Sequence, residues 1–113
     1  MSEHKLNHGD YTLALSELGV RCDAMEMIPA KGIIFTKHGS SVLYGCSRSG
    51  PNPCSSSELG LAMDVLDKTC GQDVVGWVNI ARWRKKYGRN TFNGEACGHS
   101  LNNDEPKAVL EVD

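Results

Sequence analysis

The sequence predicts an α+β domain: a small antiparallel β-sheet with one main α-helix, about residues 56–70, and a second, short helix packed on one face, stapled by disulfides. Three observations lead there. GIIFTK (32–37) and SVLYGC (41–46) are rich in β-branched and aromatic side chains and flank the turn-forming His38, Gly39 and Ser40, which is a hairpin pattern. Leu59, Ala62, Met63, Leu66 and Cys70 recur at i, i+3, i+4, i+7 and i+11, one apolar helical stripe. Five cysteines, Cys22, Cys46, Cys54, Cys70 and Cys97, are spread through 113 residues.

The elements follow in order. Residues 1–10 are polar and read as a flexible arm, with residues 11–113 as a single domain. YTLALSEL (11–18) fits both a helix, through Tyr11, Leu15 and Leu18, and an alternating strand. GVRCDAMEMI (19–28) alternates and is expected to be a strand ending at Pro29. SRSGPNPC (47–54) is a loop, because Gly50, Pro51 and Pro53 interrupt regular structure. Ser55 with Glu58 matches a capping box at the start of the main helix, and Gly71 is placed to end it. Gly60, inside that helix, costs about 1 kcal/mol relative to Ala and so suggests a close backbone neighbour. VVGWVNI (74–80) is a strand, ARWRKKYG (81–88) the short helix, and Asn93-Gly94 a hairpin turn with Cys97 on the returning strand. PKAVLEVD (106–113) is an edge strand or a loose tail.

Composition narrows function by exclusion. The net charge is −2, so the chain is not a generally basic nucleic-acid binder. No apolar run reaches membrane-spanning length. There is no P-loop, G-x-G-x-x-G, G-x-S-x-G or H-E-x-x-H motif, no Cys-x-x-Cys knuckle for zinc, and no cofactor is expected. Cys97 and His99 are a conceivable nucleophile pair, open only to a free thiol. MSEHKLNHGDYTLALSEL, residues 1–18, lacks the apolar segment of a secretion signal. A cytosolic protein and the mature form of a secreted one therefore both remain as expectations.

Helix geometry filters the disulfides. Cys54 and Cys70 flank the main helix and lie roughly 24 Å apart if it forms, whereas bonded cysteines need Cα atoms within about 7 Å. Cys54 and Cys70 are thus expected to bond to the sheet, whose cysteines are Cys22, Cys46 and Cys97. The expected bonded set is Cys46, Cys54, Cys70 and Cys97, with Cys22 left free.

Arg82, Arg84, Lys85, Lys86 and Arg89 place five cations in eight residues, while the other seven Lys and Arg face fourteen acids elsewhere. As a helix, the segment sets Arg82, Lys85, Lys86 and Arg89 on one side and Trp83 and Tyr87 on the other. A solvated basic face over a packed aromatic pair explains this pattern. A docking surface built from Trp77, Arg82, Arg84, Lys85, Lys86, Tyr87 and Arg89 is the functional alternative.

Residues 46–98, through Cys46, Cys54, Cys70, Gly71, Gly76, Trp77, Tyr87, Gly88, Arg89 and Cys97, resemble a pattern of small secreted, cysteine-stabilised fungal proteins, the effectors and killer-toxin-like proteins with α/β sandwich folds. The resemblance implies secretion, disulfides and a non-enzymatic effector or toxin-like role. The partner it implies is a host protein or an anionic cell-surface target, not nucleic acid. The alternative is a cytosolic interaction or nucleic-acid-binding module with reduced cysteines.

Overall fold

A computed structural model describes residues 5–91, 95–97, 99–100 and 109–112. The elements are α1 (His8–Asp23), β1 (Met27–Ile28), β2 (Ile33–His38), β3 (Ser41–Ser47), β4 (Asn52–Pro53), α2 (Ser56–Cys70), β5 (Gly76–Ile80), a 3-10 turn (Ala81–Trp83), β6 (Lys85–Thr91), β7 (Glu95–Ala96), β8 (His99–Ser100) and β9 (Val109–Val112). The main sheet runs β2-β3-β6-β5-β9; its pairs are antiparallel except β5 with β9. β1 with β4 and β7 with β8 form small antiparallel ribbons.

Register explains the layering. Thr36, Leu43, Arg89 and Gly76 lie in one cross-strand row, and Tyr87 points the same way two residues from Arg89. Thr36 bonds to Ala14 of α1 and Tyr87 to Glu58 of α2, so both helices cover that face. The opposite face carries Val42, Tyr44 and Cys46, packed with Ile33 and Cys97. β3 is therefore covered on both sides and buried at every position, which is why its sequence is a continuous apolar run. Gly88 has a packing role in this layer: the Tyr44 ring occupies the place a Cβ would take.

The α+β class, the β2–β3 hairpin and the main helix stand as expected. Ser55 caps α2 by accepting from the Glu58 amide at 3.0 Å, and Gly71 ends it with φ 113°. The edge-strand alternative holds for the C-terminal segment, as β9. Several local expectations are corrected. The arm expected over residues 1–10 is corrected for residues 5–10, which pack onto the fold: Leu6 is buried, Lys5 bridges to Val74, and Asn7 caps α1. The strand expected over residues 19–28 is mostly helix, because Tyr11, Ala14, Leu18 and Cys22 form one buried stripe through it. Only β1 remains of that strand. Gly60 has open space around it; the close approach is Gly19 of α1 against Ser56. The short helix expected over 81–88 is a single 3-10 turn at Ala81–Trp83 followed by the turn residue Arg84, and residues 85–88 are strand. The Asn93-Gly94 turn lies outside the described residues, and Cys97 sits in the turn between β7 and β8.

The disulfides are Cys22–Cys54 and Cys46–Cys97, with Cα separations of 5.0 and 5.7 Å, and Cys70 is free. The exclusion of a Cys54–Cys70 bond holds, as does the count of two bonds and one free thiol. The identity of the free thiol is corrected from Cys22 to Cys70. Cys22 is carried by α1, not by a strand, and reaches the start of α2. There Asp23 accepts from the Ser56 amide at 2.9 Å and hydroxyl at 2.6 Å, so α1 caps the N-terminus of α2. Closing a loop of this size stabilises the fold by about 3–4 kcal/mol.

Candidate binding groove and basic corner

The basic segment divides according to strand geometry. Ile80 pairs with Lys85, so residues 81–84 are the loop of the β5–β6 hairpin, and Arg84 turns the chain into β6 in the left-handed region (φ 55°, ψ 42°). From there the period is two. Lys85, Tyr87 and Arg89 point under the helices, and Lys86 points to the other face. Three residues expected on a docking surface are thus interior. Lys85, Tyr87 and Arg89 are all buried, and each meets a carboxylate of α2 directly or shares one. Burying these cations and the phenol on that side requires acids on the covering helix, and Glu58 and Asp67 supply them.

Glu58 is the centre of the first cluster. Its Oε1 accepts from Lys85 Nζ at 2.6 Å and from Tyr87 OH at 2.6 Å. Lys85 Nζ also donates to Pro53 O at 2.7 Å and lies 5.3 Å from the Trp83 ring centre. The Lys85 side chain is 4% exposed and that of Glu58 25%. Burial, and then the Glu58 carboxylate, push the Tyr87 phenol well above its ordinary value of 10.0. Tyr87 is accordingly a neutral donor. Arg89 anchors the second cluster, with Asp67 at 2.8 Å and the Tyr11 ring at 5.1 Å.

What stays outside forms a corner around the β5–β6 hairpin, made by its loop and by the sheet face opposite α2. Arg82 and Arg84 are exposed, and among the described residues neither is ion-paired. Lys86 is half-buried, with Nζ 4.8 Å over the half-buried Trp77. Arg48 joins this end of the sheet, donating Nη1 to Asn79 Oδ1 at 2.7 Å and its amide to Arg84 O at 2.9 Å. Trp83 is 45% exposed, and Asn52 Nδ2 holds its carbonyl at 2.8 Å. Sequence reasoning missed Arg48 as part of this corner, because Ser47↔Lys85 pairing, not chain proximity, brings it there.

An open groove of about 180 Å³ runs between α2 and β5, with Trp83 at one end. Leu61, Ala62, Val65, Val78 and Ile80 line it, and Glu58 provides its carboxylate. The exposure of Leu61, 66%, extends the apolar wall outward. The apolar spacing of α2 and β5 was visible in the sequence; the shared space was not. Cys97 is bonded to Cys46 and offers no thiol to His99. Among the described residues no three His, Cys, Asp or Glu side chains gather as a metal site, and no helix is long and apolar enough to cross a membrane.

Fold and site define a disulfide-stapled α+β domain with an apolar groove and a basic, aromatic corner. No family model, curated protein or solved structure matches the chain.

Proposed function

We propose that this is a secreted, effector- or toxin-like protein that acts by binding an acidic or anionic target rather than by catalysis, as the resemblance to fungal effectors and killer-toxin-like proteins implies. The observation that carries the reading is the exposed Trp83 beside Arg82 and Arg84 on a chain that is otherwise acidic. Its binding residues are Trp83, Arg82, Arg84, Arg48, Trp77 and Lys86; Lys85, Tyr87 and Arg89 serve the core instead. The two disulfides support an oxidising compartment. They weigh against the cytosolic, nucleic-acid-binding alternative, which also loses Lys85 and Arg89 as phosphate contacts.

The double variant Arg82→Glu/Arg84→Glu tests the surface. Both side chains are exposed, so the denaturation midpoint is expected to stay within about 0.5 kcal/mol of the parent. Retention on immobilised poly-L-glutamate at low salt is expected to be lost. Equal retention by the folded variant would remove the basic corner from the reading.

The compartment has its own test. In protein never exposed to reductant, thiol blocking followed by intact-mass measurement is expected to show one blocked cysteine, Cys70. Its labelling is expected to be slow at neutral pH, because burial pushes the thiol up while the Arg89 charge only partly offsets this. Five blocked thiols would overturn the secreted assignment.

A further inference from the structure

We infer that the α2–β5 groove is the slot for one apolar side chain of an acidic protein segment, with the cations around it holding the flanking acids. The inference rests on the reading of the basic corner as a binding surface and names what that surface receives.

Size decides between ligand classes. Sites for small organic ligands generally enclose about 300–1,000 Å³. The groove, at about 180 Å³, falls below that range. It matches instead the pocket into which a protein partner inserts a single buried anchor, the feature that dominates many interfaces. Its walls have the required chemistry: branched aliphatic side chains on two rigid elements, and an indole at the rim.

Charge decides the rest of the partner. Among the described residues Glu58 is the only carboxylate lining the groove, and Lys85 neutralises it at 2.6 Å. The anchor therefore meets no net charge at that wall. Arg82 and Arg84 flank Trp83 at one end, and Lys68 lies one turn beyond Val65 on α2. Among the described residues none of these three has an ion-pair partner. Asp64 is the exposed acid between them on the helix. Among the described residues the balance at the rim is positive, so acidic residues on both sides of the apolar anchor complement it.

Methyl and indole NMR titration of the full chain tests this with three synthetic peptides: a central Leu flanked by Glu, the same peptide with Ser for Leu, and the Leu peptide flanked by Gln. The Glu-flanked Leu peptide is expected to give saturable shifts at Leu61, Val65, Val78, Ile80 and the Trp83 indole. Replacing its Leu by Ser is expected to weaken binding about tenfold or more, and so is Leu61→Ala in the protein. If the Ser peptide binds as well as the Leu peptide and shifts only the basic corner, the slot falls while the corner stands. Equal binding by the Gln-flanked peptide would overturn the acidic partner and the corner together, leaving an apolar slot alone. Shifts of the same methyls on raising the protein concentration without peptide would make a second copy the occupant and overturn the inference. Absence of shifts with every peptide would overturn both readings.

Discussion

Arg89→Ala is expected to destabilise the fold by about 3–5 kcal/mol. Arg89 is fully buried in the middle of β6 and ties together parts of the chain that share no local sequence. Its Nε donates to Val74 O at 2.7 Å and Nη2 to Gly71 O at 3.2 Å, both in the connection from α2 to β5. Nη1 donates to Tyr11 OH of α1 at 3.2 Å and lies 2.8 Å from Asp67 of α2. A guanidinium has five N–H donors in a fixed fork, so one side chain can satisfy all of these groups. Truncation leaves a carboxylate, two carbonyls and a phenol short of partners near an empty volume. Its position at the C-terminal end of α2 adds a favourable charge–dipole contact that is lost as well. Arg89→Lys keeps the charge but not the fork, and is expected to recover only part of the loss. Denaturant titration of the oxidised protein measures both variants. A loss below about 1 kcal/mol for Arg89→Ala would show that water or neighbouring groups replace the network.

Glu58→Ala is expected to follow closely, at about 3 kcal/mol, for a related reason. The ammonium of Lys85 would keep Pro53 O but lose its counter-charge in a site with 4% side-chain exposure. Tyr87 would lose its acceptor. The cost lies in the stranded cation more than in the broken pair. Glu58→Leu combined with Lys85→Met is therefore expected to recover most of the loss, because it removes both charges together. The remainder, about 1 kcal/mol, is the Tyr87 hydroxyl proton left without its acceptor. A double-mutant cycle by denaturant titration reads the coupling directly. Strict additivity of the two single variants would mean that Glu58 and Lys85 act independently, contrary to their geometry.

Legibility in the sequence tracked the range of the interactions. α2 carried its own boundaries, because Ser55 and Gly71 satisfy its ends within a few residues and its buried stripe is regular. The β2–β3 hairpin was equally legible, since the turn at Gly39 lies between two β-branched runs. α1 was obscured by its own composition. Tyr11, Ala14, Leu18 and Cys22 mark a helical stripe behind the Asn7 cap, but Val20, Cys22 and Ala24 also alternate. Local pattern could not choose, and packing on β2 and β3 did. The disulfides show the same division. Helix length excluded Cys54 from Cys70, while the choice of Cys22 as partner required knowing where α1 ends relative to α2.

The candidate site was legible only as a concentration of charge and aromatics. A helical period puts Arg82, Lys85, Lys86 and Arg89 together; the strand period of β6 separates them and turns Lys85, Tyr87 and Arg89 inward. Nothing local distinguishes a cation bound for solvent from one bound for the core, because the difference lies in its counter-ion. Glu58 stands twenty-seven residues from Lys85 in the chain. The class of fold, the main helix with its caps, and the presence of a basic, aromatic segment are readable in the chain alone, because they follow from short-range spacing and steric preference. Which of those charges face water, which cysteine stays free and where the groove opens are set by long-range packing. Each of these depends on a partner from a distant part of the chain, and burial makes that partner decisive by raising the energy of any charge or polar group left without one.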